Sequence, residues 1–165
     1  MVTPALVEEA TALLELLRAR NLMLATAESC TGGLIAATLT EVAGSSDVVE
    51  RGFVTYSNDA KHDLLAVPDA MLERYGAVSE PVAIAMAEGA LRNSRAHVTI
   101  SVTGVAGPGG GTPTKPVGLV HFGCAMRGQP TVHARQVFAD NGRQSIRLDT
   151  VAHAFRMIRE MVTAT

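Results

Sequence analysis

The sequence predicts an α/β protein, a three-layer α/β/α sandwich built on a mixed sheet, and three observations point to it. Segments with helical and strand periodicity alternate through the first hundred residues, the pattern of a sheet with helices on its faces. Three strand-like runs then follow one another near the end with no helix between them, which calls for antiparallel neighbours. Apolar residues make up 47% of the 165-residue chain and charged ones 18%, a balance that suits a folded globule and is unlike that of a disordered chain. The length fits a single domain, residues 1–165, and no repeat or linker interrupts it.

The elements read as follows. Thr3 and Pro4 open a helix, with a hydroxyl at the cap and a proline where no amide donor is needed. Leu6, Ala10, Leu13, Leu14 and Leu17 continue it on one face. Residues 22–27 form a buried strand, and a helix runs from Gly33 through Leu39 and is ended by Gly44. Residues 51–56 are a second strand, and Ser57, Asn58 and Asp59 cap a short helix reaching Leu65. Pro68 begins a further turn or helix, and Ser79-Glu80-Pro81 opens an alanine-rich helix ending near Asn93. Residues 98–102 are a β-branched strand. The stretch TGVAGPGGGTPTKP, residues 103–116, is too rich in glycine and proline for helix or interior strand. Strands over 117–125 and 132–138 pair as a hairpin across Arg127 to Pro130, and residues 144–161 form the closing helix.

Several function classes are disfavoured by composition. A net charge of -2, four phenylalanines, two tyrosines and no tryptophan offer neither a basic footprint nor stacking groups for nucleic acid. No apolar run is long enough to span a membrane, and the first twenty residues lack the pattern of a signal peptide. The cysteines, Cys30 and Cys124, and the histidines show no metal-ligand spacing, so no metal or cofactor is expected. A reducing, cytoplasmic setting fits two unpaired cysteines.

Four stretches can carry chemistry. AESCTGG, residues 27–33, lies where a strand gives way to a helix, so Ser29 or Cys30 is a candidate nucleophile beside the amides of Thr31, Gly32 and Gly33. The alternative is that Ser29 and Thr31 only cap the helix and Cys30 fills the core. Adjacent residues in a tight turn point apart, so Ser29 and Cys30 are not expected to share one pocket. In TYSNDAKH, Lys61 falls in the first turn of a helix, where the dipole and desolvation lower its pKa and suit it as a base for a serine hydroxyl. A solvated surface lysine is the competing reading. Tyr56 ends the preceding strand and is placed to donate into the same site. The glycine loop fits neither the Walker nor the dinucleotide fingerprint, yet its amides suit an anion or a closing contact, with Lys115 as a cation at its end. In DNGRQSIR, Arg143 and Arg147 lie four apart at the start of the last helix, placed to grip a carboxylate or phosphate or simply to meet solvent.

Taken in order, AESCTGG, GFVTYSNDAK, TGVAGPGGGTPTKPVGLV and the FADNGRQSIR stretch resemble the blocks of the CinA carboxy-terminal family, over about residues 5–162. The family includes nicotinamide-nucleotide amidohydrolases, and this chain looks like the stand-alone form. The resemblance implies the three-layer fold and hydrolysis of the carboxamide of nicotinamide mononucleotide to nicotinate mononucleotide and ammonia, in pyridine nucleotide salvage. It implies a catalytic Ser29 and Lys61 with Tyr56 assisting, no cofactor, and a homodimer. Thr31, Gly32, Gly33, Asn58, Thr103, Gly107, Gly109, Gly110 and Arg143 are the expected substrate-binding residues. Thr114 and Asn141 depart from the family pattern, at positions where acidic and apolar residues are usual. Two other readings stay open: a nucleotide-binding regulatory module of a competence or DNA-damage response, and an amidase of different substrate.

Overall fold

The computed structural model describes residues 2–164. Its sheet has five strands in the order β2-β1-β3-β4-β5. β1 (Leu24–Glu28) lies between β2 (Val49–Val54) and β3 (Val98–Gly104) and runs parallel to both. β4 (Leu119–Met126) and β5 (Val132–Val137) continue from β3 as an antiparallel meander. The mixed sheet follows from the connections: helices follow β1 and β2, whereas only a loop and a tight turn follow β3 and β4.

Helices α1 (Pro4–Ala19), α2 (Leu34–Thr40) and α6 (Arg143–Thr163) pack together on one face, and α3 (Asn58–Leu65), α4 (Asp69–Tyr75) and α5 (Glu80–Arg92) on the other. The Oγ1 of Thr3 caps α1 by accepting from the Leu6 amide at 3.2 Å, and the predicted apolar stripe of α1 is its buried face. The larger core lies under α1, α2 and α6 and includes Leu13, Leu17, Phe122 and Phe155. A smaller one, with Leu65, Val82 and Met86, lies under α3 to α5.

Element boundaries shift where polar residues do structural work. β1 starts two residues later than predicted and takes in Glu28, a carboxylate at the buried end of a central strand. β2 begins and ends two residues earlier, which leaves Thr55 and Tyr56 as a link into α3. β3 claims Thr103 and Gly104 from the glycine loop, because both pair with β4. α2 ends at Thr40, and Gly44 instead precedes a single 3-10 turn over Ser45–Asp47. The Pro68 segment is the helix α4.

α5 sits against a polar row on β3. Thr99 and Ser101 donate to the carbonyls of Ala87 and Ala83, at 2.7 and 2.6 Å, and Thr103 donates to Ala77 at 2.9 Å. These bonds satisfy hydroxyls that would otherwise be costly to bury. On its far side α5 meets α3 at Gly89, where an added Cβ would collide with the Leu65 carbonyl. Gly89→Ala should therefore destabilise the fold by about 1–3 kcal/mol despite alanine's better helix propensity, because backbone has to move. A urea midpoint equal to or above wild type would show that the helices do not approach this closely.

Candidate active site

The carboxyl ends of the three parallel strands converge where α2 leaves toward one face of the sheet and α3 toward the other. This is the crevice in which open α/β sheets bind ligands. Here it is a cavity of about 330 Å³, bordered by the turn after β1, the β2–α3 link, the glycine loop after β3 and the first residue of α6.

Ser57 is the cap of α3, its Oγ accepting from the Ala60 amide at 3.0 Å, and this sets Lys61 one turn into the helix. The lysine points inward: it is 1% exposed, among the largest fully buried side chains of the described residues. Its Nζ lies 2.9 Å from Ser29 Oγ, 2.9 Å from the Thr55 carbonyl oxygen and 3.3 Å from that of Tyr56. No carboxylate pairs with it among the described residues. Burial pulls its pKa below 10.5. In its neutral form the amine has two hydrogens for the two carbonyls and a lone pair for the Ser29 hydroxyl. Such an arrangement can draw a proton from the hydroxyl and return it to a leaving group.

The turn after β1 departs from expectation. Thr31, Gly32 and Gly33 do not border the cavity. The N-terminal amides of α2 are not presented to a ligand either, because Glu28 takes them: its Oε1 accepts from Ile35 N at 2.8 Å and its Oε2 from Ala36 N at 3.1 Å. Thr31 turns its hydroxyl inward to the same carboxylate, donating to Oε1 at 2.6 Å. Gly32 and Gly33 serve conformation, with φ of 57° and 103° that let the chain double back from strand to helix. Glu28 went unremarked in the sequence reading, although an acidic residue ending an otherwise apolar strand just before a helix was the available signal. Cys30, expected to face away from Ser29, does border the same cavity. Its thiol is buried, and desolvation pushes its pKa up to about 12.

Tyr56, Asn58, Thr103, Gly107, Gly109, Gly110 and Arg143, named from the sequence as catalytic or substrate-binding residues, all border the cavity. Tyr56 meets the site through two groups. Its carbonyl, not its phenol, touches Lys61, while its mostly exposed ring accepts at Oη from Arg143 Nη2 at 2.9 Å. The other arm of Arg143 donates from Nη1 to the Gly107 carbonyl at 2.7 Å, so this guanidinium bridges the glycine loop and the β2–α3 link. The amides of Ala106, Gly107, Gly109 and Gly110 find no acceptor among the described residues and remain available to a ligand. Two cations named beside this site are used elsewhere. Arg147 donates to the Thr31 carbonyl at 2.7 Å and pins the turn, and Lys115 donates to the Tyr75 carbonyl at 2.6 Å at the end of α4.

Fold and site together define an α/β protein with a buried serine–lysine pair at the switch point of a mixed sheet. The sequence model of the CinA C-terminal domain matches residues 7–162, and the chain belongs to that family. A nicotinamide-nucleotide amidohydrolase PncC of Enterobacter agglomerans is 48% identical over 147 residues, covering 88% of this chain and 89% of that protein. A putative competence-damage inducible protein of Symbiobacterium thermophilum is 50% identical, but this chain spans only about a third (35%) of its length. Among solved structures, the competence/damage inducible protein CihA of Agrobacterium tumefaciens superposes with a TM-score of 0.93 at 50% identity, covering 96% of each chain.

Proposed function

We propose that this chain hydrolyses the carboxamide of nicotinamide mononucleotide, releasing ammonia and nicotinate mononucleotide, with Ser29 as nucleophile and Lys61 as its base. One observation carries the mechanism: a buried amine without a carboxylate partner among the described residues, 2.9 Å from a serine oxygen at the edge of a cavity. The substrate is supported by the similarity to relatives named nicotinamide-nucleotide amidohydrolase along nearly their whole length.

In this reading Ser29 Oγ attacks the amide carbon as its proton passes to Lys61 Nζ. The oxyanion is held by amides of the glycine loop, which borders the cavity and whose Ala106, Gly107, Gly109 and Gly110 amides find no acceptor among the described residues. The C–N bond then breaks, Lys61 gives the proton to the departing nitrogen, and ammonia leaves. Lys61 rather than Tyr56 has this task, because its nitrogen and not the phenol is in contact with Ser29 Oγ. Water, deprotonated by the same amine, cleaves the ester on Ser29 and frees the nucleotide acid. Every step uses groups of the chain and water. The assembly expected with this family is a homodimer, which sedimentation tests.

Arg143 is the cation available for the ribose phosphate. Arg143→Ala should raise KM for nicotinamide mononucleotide about tenfold or more, roughly 1.4 kcal/mol, while changing kcat much less. An unchanged KM would remove the phosphate from Arg143. The reading as a whole is tested by ammonia release from nicotinamide mononucleotide by the purified chain. Tight nucleotide binding without ammonia would instead indicate a regulatory module.

A further inference from the structure

Glu28 is fully buried, and its contacts exceed those of a helix cap. Its carboxylate gathers the Thr31 hydroxyl and the amides of Ile35 and Ala36, which pins the turn carrying Ser29 to the head of α2. Its main-chain carbonyl accepts from the Thr55 amide at 2.9 Å. Thr55 in turn offers its own carbonyl to Lys61 Nζ at 2.9 Å. One residue is thus bonded toward both partners of the pair, through its side chain to the serine turn and through its backbone to the seat of the lysine. The Ser29 amide is held separately by the Val102 carbonyl at 3.0 Å, so Ser29 is fixed from β3 below and from Glu28 beyond.

We infer that Glu28 is the positioning residue of the site, holding Ser29 Oγ within hydrogen-bond reach of Lys61 Nζ without itself touching substrate. This rests on the amidase reading above. The physical requirement is plain: proton transfer between oxygen and nitrogen needs a short, aligned contact, and a displacement of about 1 Å costs on the order of a hundredfold in rate. A carboxylate accepts from all three donors at once. A glutamine at the same place has one acceptor oxygen and an NH2 group that faces at least one amide N–H, so the turn must shift.

The test uses the intact chain and two readouts. In Glu28→Gln, kcat for ammonia release from nicotinamide mononucleotide should fall about 30- to 100-fold with KM within about threefold of wild type. The rate at which Ser29 is sulfonylated by phenylmethanesulfonyl fluoride, a small reagent needing no nucleotide contacts, should fall in parallel. Ile158→Val, in the core under α6 and remote from the cavity, is the control: it should lower Tm while leaving kcat within about twofold. If Glu28→Gln does not fold, Thr31→Val removes one donor and leaves the carboxylate in place, and it should lower both rates severalfold. Variants that lose Tm but keep both rates within about threefold would make Glu28 a structural cap only and overturn the inference. A wild-type chain that is sulfonylated at Ser29 yet releases no ammonia would end the nicotinamide reading while the labelling rates still decide Glu28's role. A wild type inert to both would end both proposals.

Discussion

Ser29→Ala should cut ammonia release from nicotinamide mononucleotide by about 10⁴-fold or more, with the melting temperature nearly unchanged, while Cys30→Ala stays within severalfold of wild type. The asymmetry follows from what surrounds two neighbours on one cavity. Ser29 has a base in contact; Cys30 has burial, which holds its thiol up at about 12. At pH 8 a thiol with that pKa is ionised in roughly one molecule in ten thousand, so its intrinsic nucleophilicity is hardly available. A serine hydroxyl needs no such ionisation beforehand, because the proton moves to Lys61 as the new bond forms. Removing the Ser29 oxygen deletes the attacking atom and leaves Lys61 with its two carbonyls, so folding is little affected. The opposite pattern, with Cys30→Ala inactive and Ser29→Ala active, would transfer the nucleophile to Cys30.

Where the sequence was legible, one local rule acted alone. Thr3 and Pro4, the stripe on α1 and the β-branched run of β3 declare their elements because capping and periodicity need no tertiary partner. The Ser29–Lys61 pair was anticipated from its two settings, a strand-to-helix turn and a helix first turn. The distance between them was not, since thirty-two residues separate the two and only the parallel pairing of β1 with β2 brings their ends together. The differences share one cause. Tyr56, Arg147 and Lys115 were each read as groups the site could use because each lies beside a candidate in sequence. In the fold each side chain has a protein partner, namely Arg143, the Thr31 carbonyl and the Tyr75 carbonyl, and Glu28 takes the amides of Ile35 and Ala36 at the head of α2. A side chain's chemistry is visible in sequence; who satisfies it is not. Glu28 is the sharpest case, because a carboxylate on an apolar strand is unfavourable until the helix that pairs with it is known.

The other large effect expected is one of pH, and it reads the charge on Lys61 without any assay of catalysis. Burial lowers the Lys61 pKa in the folded chain below the 10.5 it has when exposed. Between the folded pKa and 10.5 the unfolded chain therefore binds one more proton than the folded one. Stability then rises with pH across that window, by up to about 1.4 kcal/mol per unit. Above 10.5 the lysine is neutral in both states and imposes no penalty, and below the folded pKa the penalty is constant. Lys61→Met removes the group. Its unfolding free energy will also differ by a fixed amount, because Ser29 and the carbonyls of Thr55 and Tyr56 lose a partner. The discriminating quantity is therefore the slope: wild-type stability minus that of Lys61→Met, from urea unfolding at pH 7 to 10.5, should climb with pH, and titrations common to both proteins cancel. The same neutral fraction should set the acid limb of the rate, so ammonia release falls as pH drops through the folded pKa, and Lys61→Arg, which cannot shed its proton, should be inactive at every pH. A difference in stability that stays flat over that range would mean that Lys61 keeps its proton inside the fold, and an ammonium there has no lone pair with which to take one from Ser29.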